Sequence, residues 1–208
     1  MKFDRAGYPF IAGTLLPAAL LLARRRGGLG WPLLGFAGFM AFFFRDQERY
    51  PPQHADVVVA PADGRVVAVG PGEAGVAPEG QWQQISIFLS PLDVHVNRVP
   101  YGGEVTRIAH VPGQFLPAYD DRAAASNERT EMWVRQGTRT VVSRQVVGVL
   151  ARRIVCRAQV GDTVVTGERY GLMKFGSRMD VFVPADCEVL VRQGDRVRGG
   201  ESVIARWS

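Results

Sequence analysis

A serine that follows a glycine can turn its hydroxyl on the carbonyl of the bond that joins them. Gly176-Ser177, in the stretch KFGSRMD (174–180), is such a pair. Glycine leaves the approach open, because it has no side chain and tolerates backbone angles that other residues resist. The attack converts the amide to an ester. β-Elimination then frees the glycine carboxylate and leaves dehydroalanine, and hydrolysis with loss of ammonia leaves a pyruvoyl ketone at a new N-terminus. That sequence of steps needs a base for the hydroxyl, a group to orient the base, and donors for the oxyanion. His95, in SPLDVHVNRVP (90–100), and Asp63, in the Asp-Gly turn of APADGRV (60–66), are of the right types. Taken singly, each has a plainer reading: His95 as a packed or surface-bonded histidine, Asp63 as a turn former, Gly-Ser as a turn.

The elements that must hold these residues read as β-strands. From residue 56 onward, short β-branched runs alternate with Gly, Pro and Asp: DVVVAPADGRVVAVG, QISIFLS, GGEVTRIAHV, EMWVR and TVVSRQVVGVLARRIVCRA. Strands punctuated by turns predict a mainly β domain. The tail echoes itself. VGDTVVTGE (160–168) returns as QGDRVRGGE (193–201), and PADGRVVAV (61–69) as PADCEVLV (184–191). Gly-Asp followed by V-x-x-G-E predicts a turn with positive φ at the glycine and a side-chain bond from the aspartate. Two interlocked halves of this kind resemble the barrel-sandwich hybrid of biotinyl and lipoyl carriers. Such carriers present a lysine at the tip between the halves, and LMKF puts Lys174 there, three residues before Ser177. A carrier domain modified at Lys174 is therefore one alternative, and a non-catalytic β scaffold on a membrane anchor is another.

The first fifty residues are a different material. Residues 8–23 and 27–44 are apolar and are separated by Arg24-Arg25-Arg26. A helix rises about 1.5 Å per residue, so the second run reaches roughly 27 Å, short of a hydrocarbon core of about 30 Å. The first run carries Pro9 and Pro17. A cleavable signal peptide fits its length, but a second apolar run follows and no small-x-small site stands out. A buried hairpin of a soluble domain is a further alternative. Two true spans would put Arg24–Arg26 on one side and Lys2, Arg5, Arg45 and Arg49 on the other, against the positive-inside rule. The expectation is an apolar α-helical hairpin over residues 1–50 that inserts shallowly from the cytoplasmic face of the cell membrane. A β catalytic domain would follow over 51–208, with Pro51-Pro52 at the boundary.

Composition narrows the chemistry. Of 208 residues, 47% are hydrophobic and 22% charged, which allows a packed core. The net charge is +5, and only Lys2 and Lys174 are lysines among the 25 basic residues. Arginine's planar fork suits phosphate and anionic membranes, although codon usage in a GC-rich genome explains the excess equally well. No basic run interleaved with aromatics points to nucleic acid. Cys156 and Cys187 stand far apart and read as buried thiols. His54, His95 and His110 are dispersed, so no metal site is expected.

Seven blocks, in order along nearly the whole chain, together resemble the phosphatidylserine decarboxylase proenzymes in their short form. They are FFFRDQERYPP (42–52), APADGRV (60–66), FLSPLDVHVNRVPYGGEV (88–105), HVPGQF (110–115), SNERTE (126–131), VGVLARRIVC (147–156) and GERYGLMKFGSRMDVFVP (167–184). The resemblance implies self-cleavage between Gly176 and Ser177 into a β chain (1–176) and an α chain (177–208) that stay together as a heterodimer, with a homodimer of such units in prospect. It implies a covalent pyruvoyl group from Ser177, no metal, and the set Asp63, His95 and Ser177. It also implies the conversion of phosphatidylserine in the membrane to phosphatidylethanolamine and carbon dioxide. The ketone would serve as electron sink, as pyridoxal phosphate does elsewhere, with His95 as proton donor. Arg98 and Arg178 are candidates to hold the lipid phosphate. The chain departs from many longer members in one respect: their H-x-x-H pair reads here as His95 and Arg98, so His95 would serve both cleavage and decarboxylation, or another group would be recruited for one of them. The cut site reads F-G-S-R where many members have L-G-S-T.

Overall fold

The computed structural model describes residues 2–207 apart from 75, 119, 121, 150–152 and 175. The chain divides into two compact units, Met1–Glu48 and Arg49–Ser208.

The first unit is a helical hairpin. Strand β1 (Lys2–Phe3) and a 3-10 turn at Arg5–Gly7 lead into α1 (Tyr8–Ala23); α2 (Gly27–Phe43) follows, and β2 (Arg45–Asp46) returns to pair with β1. Three residues suffice for the reversal because Arg25 adopts a left-handed φ of 56°. Arg5–Ala23 forms a continuous helical stretch of 19 residues, long and apolar enough to cross a membrane, whereas Gly27–Phe43 is shorter. Pro9 falls in the first turn of α1, where its missing N–H has no helical partner to lose. Pro17 and Pro32 lie inside the helices. Phe10 stacks on Phe44 at 5.2 Å between ring centres, tying the two ends of the hairpin. Leu16, Leu29, Trp31 and Phe36 point outward and are exposed.

The second unit is mainly β, with a curled half-barrel sheet. Its strands are β3 (Val57–Val59), β4 (Gly64–Pro71), β5 (Trp82–Leu89), β6 (Val96–Arg98), β7 (Gly103–Val111), β8 (Arg129–Gln136) and β9 (Arg139–Val146). These are followed by β10 (Val155–Cys156), β11 (Thr163–Val164), β12 (Arg169–Leu172), β13 (Ser177–Pro184), β14 (Glu188–Val189), β15 (Arg196–Val197) and β16 (Val203–Arg206). Eight of them form one antiparallel sheet in the order β11-β7-β8-β9-β13-β5-β4-β15. Two three-stranded sheets, β10-β12-β6 and β14-β16-β3, complete the unit. Among the described residues of this unit, one short helix, α3 (Ala123–Ser126), breaks the otherwise all-β texture expected from the sequence.

The two echoed segments occupy the two edges of the large sheet, β11 on β7 and β15 on β4. Each closes the same way. Asp162 accepts from the Gln159 N–H and Asp195 from the Arg192 N–H, both at 2.8 Å. The glycine before each aspartate has positive φ, 94° at Gly161 and 100° at Gly194.

Period-two alternation sets the core. Met179, Val181 and Val183 of β13 face inward with Ile85, Ile87 and Leu89 of β5 and Met132 and Val134 of β8. The small sheets cover that face with Val58, Val99, Tyr170 and Ile204. Each fully buried side chain of this size contributes about 1.5–3 kcal/mol, so the inner face of β13 fixes its register strongly. Phe182, one residue out of phase, joins Val76, Ala124 and Val142 on the outer face.

Candidate active site

The register of the large sheet collects the chemistry-bearing residues at one of its ends. Ser177 is the first residue of β13 and pairs with Leu89, the last residue of β5. Arg178 pairs with Val146, the last of β9. Gly64 opens β4 next to the close of β5, which puts the turn containing Asp63 at the same end. The connections at this end are residues 60–63, 90–95, 112–128, 147–154, 173–176 and 198–202.

Two ties place His95 at the end of the sheet that holds Ser177. The first is the short connection from Leu89. Asp93 accepts from Ser90 N at 2.8 Å and from Ser90 Oγ at 2.7 Å, so the chain reverses at once. The second is the small sheet laid over the inner face. Tyr170 Oη meets Ser143 Oγ at 3.2 Å, and Gln145 Nε2 donates to Asn97 Oδ1 at 2.8 Å. β12 therefore crosses β9 in the same direction, and β6, antiparallel to β12, in the opposite one. Two residues back from Asn97 is His95, whose carbonyl accepts from Met173 N. Two residues on from Gln145 is Val147, level with Ser177. Both steps end at the same place.

His95 and Ser177 are wholly buried. His95 Nδ1 lies 3.0 Å from the carbonyl oxygen of Asp93. A carbonyl can only accept, so Nδ1 carries the proton and Nε2 keeps the lone pair, which makes Nε2 the basic atom of a neutral ring. Ser177 Oγ has no hydrogen-bond partner among the described residues. A buried hydroxyl left so costs about 1–3 kcal/mol, and groups of this kind collect at reactive sites.

The bond before Ser177 is set apart by its backbone. Gly176 has φ of 70°, the left-handed region that favours glycine. Its carbonyl oxygen sits so close to Gly148 that a Cβ built there would collide with it. Sequence reasoning did not single out Gly148. The contact joins residues far apart along the chain, and only the β9–β13 pairing brings them together.

Asp63 is three-quarters or more buried at its side chain and accepts two bonds. Gly199 N donates to Oδ1 at 2.8 Å, and Arg49 Nη2 donates to Oδ2 at 2.7 Å. Arg49 also reaches Glu201 at 3.2 Å. Burial raises the Asp63 carboxyl above the ordinary value. The bonds from Gly199 and Arg49 act in the other direction but are outweighed, and the nearby Asp93 charge adds to the rise. The arrangement ties Asp63 to the Gly199 turn and to Arg49, and the atom facing His95 Nδ1 is the Asp93 main-chain oxygen.

The two arginines singled out from the sequence are both engaged internally. Arg98 donates from Nη1 to the Gly167 carbonyl at 2.9 Å and is buried. Arg178 pairs with Asp180 at 2.7 Å and donates to Ser86 Oγ at 2.9 Å. By alternation it lies on the outer face of β13, away from Ser177.

Arg178 belongs instead to a buried ionic layer on the outer face. Asp180 pairs across the ladder with Arg144 and Ser86. Arg144 donates to Glu131 at 2.8 Å and its guanidinium lies 4.8 Å from the Phe182 ring centre. Burial lowers the Arg144 guanidinium from its ordinary value, opposed by the charges of Glu131 and Asp180. Removing one partner of such a layer leaves a buried charge uncompensated. Asp180→Ala is expected to cost about 3–5 kcal/mol of stability, read as a lower urea midpoint with an unchanged slope.

Among the described residues no group of His, Cys, Asp and Glu could hold a metal ion. A groove of about 480 Å³ lined by Pro51–Ala55, Tyr101–Gly103, Gln136 and Thr163–Thr166 lies at the opposite end of β7 and β8. Its size does not make it the reactive site, because Ser177, His95 and Asp63 lie at the other end and none of them lines it.

A family model described as phosphatidylserine decarboxylase matches residues 36–205. The chain is 48% identical to a phosphatidylserine decarboxylase proenzyme of Symbiobacterium thermophilum, over 97% of this chain and 94% of that protein. It is 47% identical to one of Saccharopolyspora erythraea, over 96% and 86%. It is also 48% identical to one of Mycobacteroides abscessus, over 96% and 85%.

Proposed function

Because the chain belongs to the phosphatidylserine decarboxylase family, we propose that it cuts itself between Gly176 and Ser177 and then decarboxylates phosphatidylserine to phosphatidylethanolamine. The observation that carries the reading is the buried Ser177 hydroxyl behind a left-handed Gly176, at the sheet end that also holds His95. Nε2 of His95 takes the hydroxyl proton as Oγ attacks the Gly176 carbonyl. The Asp93 carbonyl holds the ring in the tautomer this requires. Asp63 fixes the Gly199 turn and Arg49 beside the site and adds negative charge close to the loop of His95.

The pyruvoyl group comes from Ser177 itself, and the surroundings fit it: a buried, left-handed junction with no competing hydrogen-bond partner among the described residues. When formed, the group supplies an electron sink for loss of carbon dioxide. His95 is the imidazole that can return a proton to the product carbon; His110, also at this end, lies on β7, three strands from β13.

The cut products remain associated. β13, the first strand of the α chain, keeps its ladders to β5 on one side and β9 on the other, both in the β chain. β15 and β16 add further pairings to β4 and β3. The apolar hairpin, with one helical stretch long enough to cross a membrane, keeps the enzyme at the cytoplasmic face of the cell membrane, where its substrate lies.

The alternative of a carrier modified at Lys174 is disfavoured by position. That lysine is partly buried, whereas a carrier lysine must be visited by partner enzymes. Intact mass of the purified protein distinguishes the two. The expected result is two chains, 1–176 and 177–208, the shorter lighter by one ammonia than the same peptide with a free N-terminal serine. One uncut chain from active protein, or a mass increment on Lys174, would sink the proposal.

A further inference from the structure

The ladders that aim β9 end at Val146, which pairs with Arg129 of β8 and Arg178 of β13. Gly148, which packs against the Gly176 carbonyl, lies two residues beyond that support. We propose that Asn127 is a positioning residue for the self-cleavage: its side-chain amide holds the Val147–Gly148 peptide against the carbonyl that Ser177 attacks. The inference rests on the reading above and adds to it a residue outside the set Asp63, His95 and Ser177.

Asn127 follows α3 as its C-cap and is wholly buried. Its own segment is pinned first. Gln114 N donates to the Ser126 carbonyl at 2.8 Å and Glu128 N to the Gln114 carbonyl at 3.0 Å, so the backbones at Gln114 and Asn127 run side by side. The amide then uses its oxygen and both of its hydrogens. Oδ1 accepts from Leu116 N at 2.9 Å. Nδ2 donates to the Leu116 carbonyl and to the Val147 carbonyl, both at 2.8 Å. The N–H of Leu116 can only donate and the two carbonyls can only accept, which fixes the way the amide points.

Val147 is held at both of its main-chain polar groups. Its N–H donates to the Glu128 carbonyl at 3.1 Å, and its carbonyl accepts from Asn127. A peptide unit is planar, so fixing the Val147 oxygen orients the whole plane and with it the Gly148 Cα. A Cβ built on that atom meets the Gly176 carbonyl oxygen. One hydrogen bond and one planar peptide therefore separate the amide from the atom that faces the scissile carbonyl. A residue that only stitched its own connection would stop at Leu116. The third bond leaves that connection and lands on the peptide unit next to the cut. After cleavage the Gly176 carbonyl belongs to a free carboxylate at the end of the β chain, and no scissile bond is left to aim. The effect of Asn127 thus falls on cutting and not on later turnover.

The test follows the full chain through a labelled pulse and a chase in cell-free translation, as parent, Asn127→Asp and Asn127→Ser. An ionised aspartate has the shape of asparagine but no hydrogen to give, and serine gives one. Release of the 177–208 fragment is expected to slow on the order of 100-fold in Asn127→Asp, the factor for a shift of about 1 Å at the target atom, and by less in Asn127→Ser. Decarboxylation of phosphatidylserine in detergent micelles, divided by the amount of cut chain, is expected to stay at the parental level in both. Parental cleavage rates in the variants would overturn the proposal. So would a fall in turnover per cut chain equal to the fall in cleavage, the mark of a residue that only supports the fold. If Asn127→Asp does not fold, as read by protease resistance, Asn127→Ser decides by the same two rates. A parent chain that stays uncut removes the function proposed above, whereas a parent that cuts beside variants that cut as fast removes only the part given to Asn127.

Discussion

Ser177→Ala gives a chain that stays full length on a denaturing gel, turns over no phosphatidylserine, and is at least as stable as the uncut parent. The first two effects follow from chemistry. The methyl group cannot attack the Gly176 carbonyl, and without that step no electrophile arises for the amine of the substrate. The loss is total rather than graded, because the same atom is nucleophile and precursor. The third effect distinguishes this site from an ordinary structural serine. Ser177 Oγ is buried with no hydrogen-bond partner among the described residues. Its removal breaks no hydrogen bond to a described residue and relieves a desolvation cost of about 1–3 kcal/mol. The ladders of β13 to β5 and β9 are main-chain bonds and survive the change. Chemical denaturation beside the gel separates the outcomes. An uncut chain with a lower urea midpoint would mean that the hydroxyl holds the strand in place, and an intact chain that retains activity would remove Ser177 from the mechanism.

Much of this site is legible in the sequence because its parts are local. Gly-Ser, the histidine in a turn ahead of a proline, and the Asp-Gly turn are each complete within a few residues. The echoed tail segments were also readable, since each is a turn closed by its own aspartate. The helical hairpin was readable to within a residue or two from the two apolar runs. What escaped the sequence depends on which strands pair. Arg178, next to the reacting serine, looked like a headgroup ligand. Alternation turns it to the other face, where Asp180 and Ser86 engage it. The Arg98 guanidinium closes on the Gly167 carbonyl, 69 residues away in the chain. Asp63 was expected to orient His95, yet its oxygens meet Gly199 and Arg49, residues distant in the chain. The main-chain oxygen of Asp93, which has no signature in a sequence, stands at Nδ1. The placement of His95 at the sheet end that holds Ser177 depends on the crossing of β6 and β12 over β9, which no local pattern carries.

Gly148 is the residue whose effect is largest relative to its sequence signal. In Gly148→Ala the added methyl would meet the Gly176 carbonyl oxygen, a backbone atom that cannot rotate away. Either the scissile peptide shifts or the connection after β9 does. A displacement of about 1 Å between a nucleophile and its target costs on the order of 100-fold, so cleavage is expected to slow by at least that factor. Overpacking of this kind also costs about 1–3 kcal/mol of stability, and slow cleavage could then be blamed on a loosened fold. Gly137→Ala provides the matched control. Gly137 sits in the tight turn between β8 and β9 with φ of 60°, and a Cβ there meets nothing within 4 Å. Alanine at 137 therefore adds left-handed strain of about 1–2 kcal/mol at the end of the hairpin far from Ser177, with no contact to the cut. A time course of fragment release should show the 137 variant cutting at the parental rate and the 148 variant accumulating uncut chain at comparable stability. Equal rates in the two would mean that the close approach at Gly148 does not set the position of the carbonyl, and that the left-handed Gly176 does so alone.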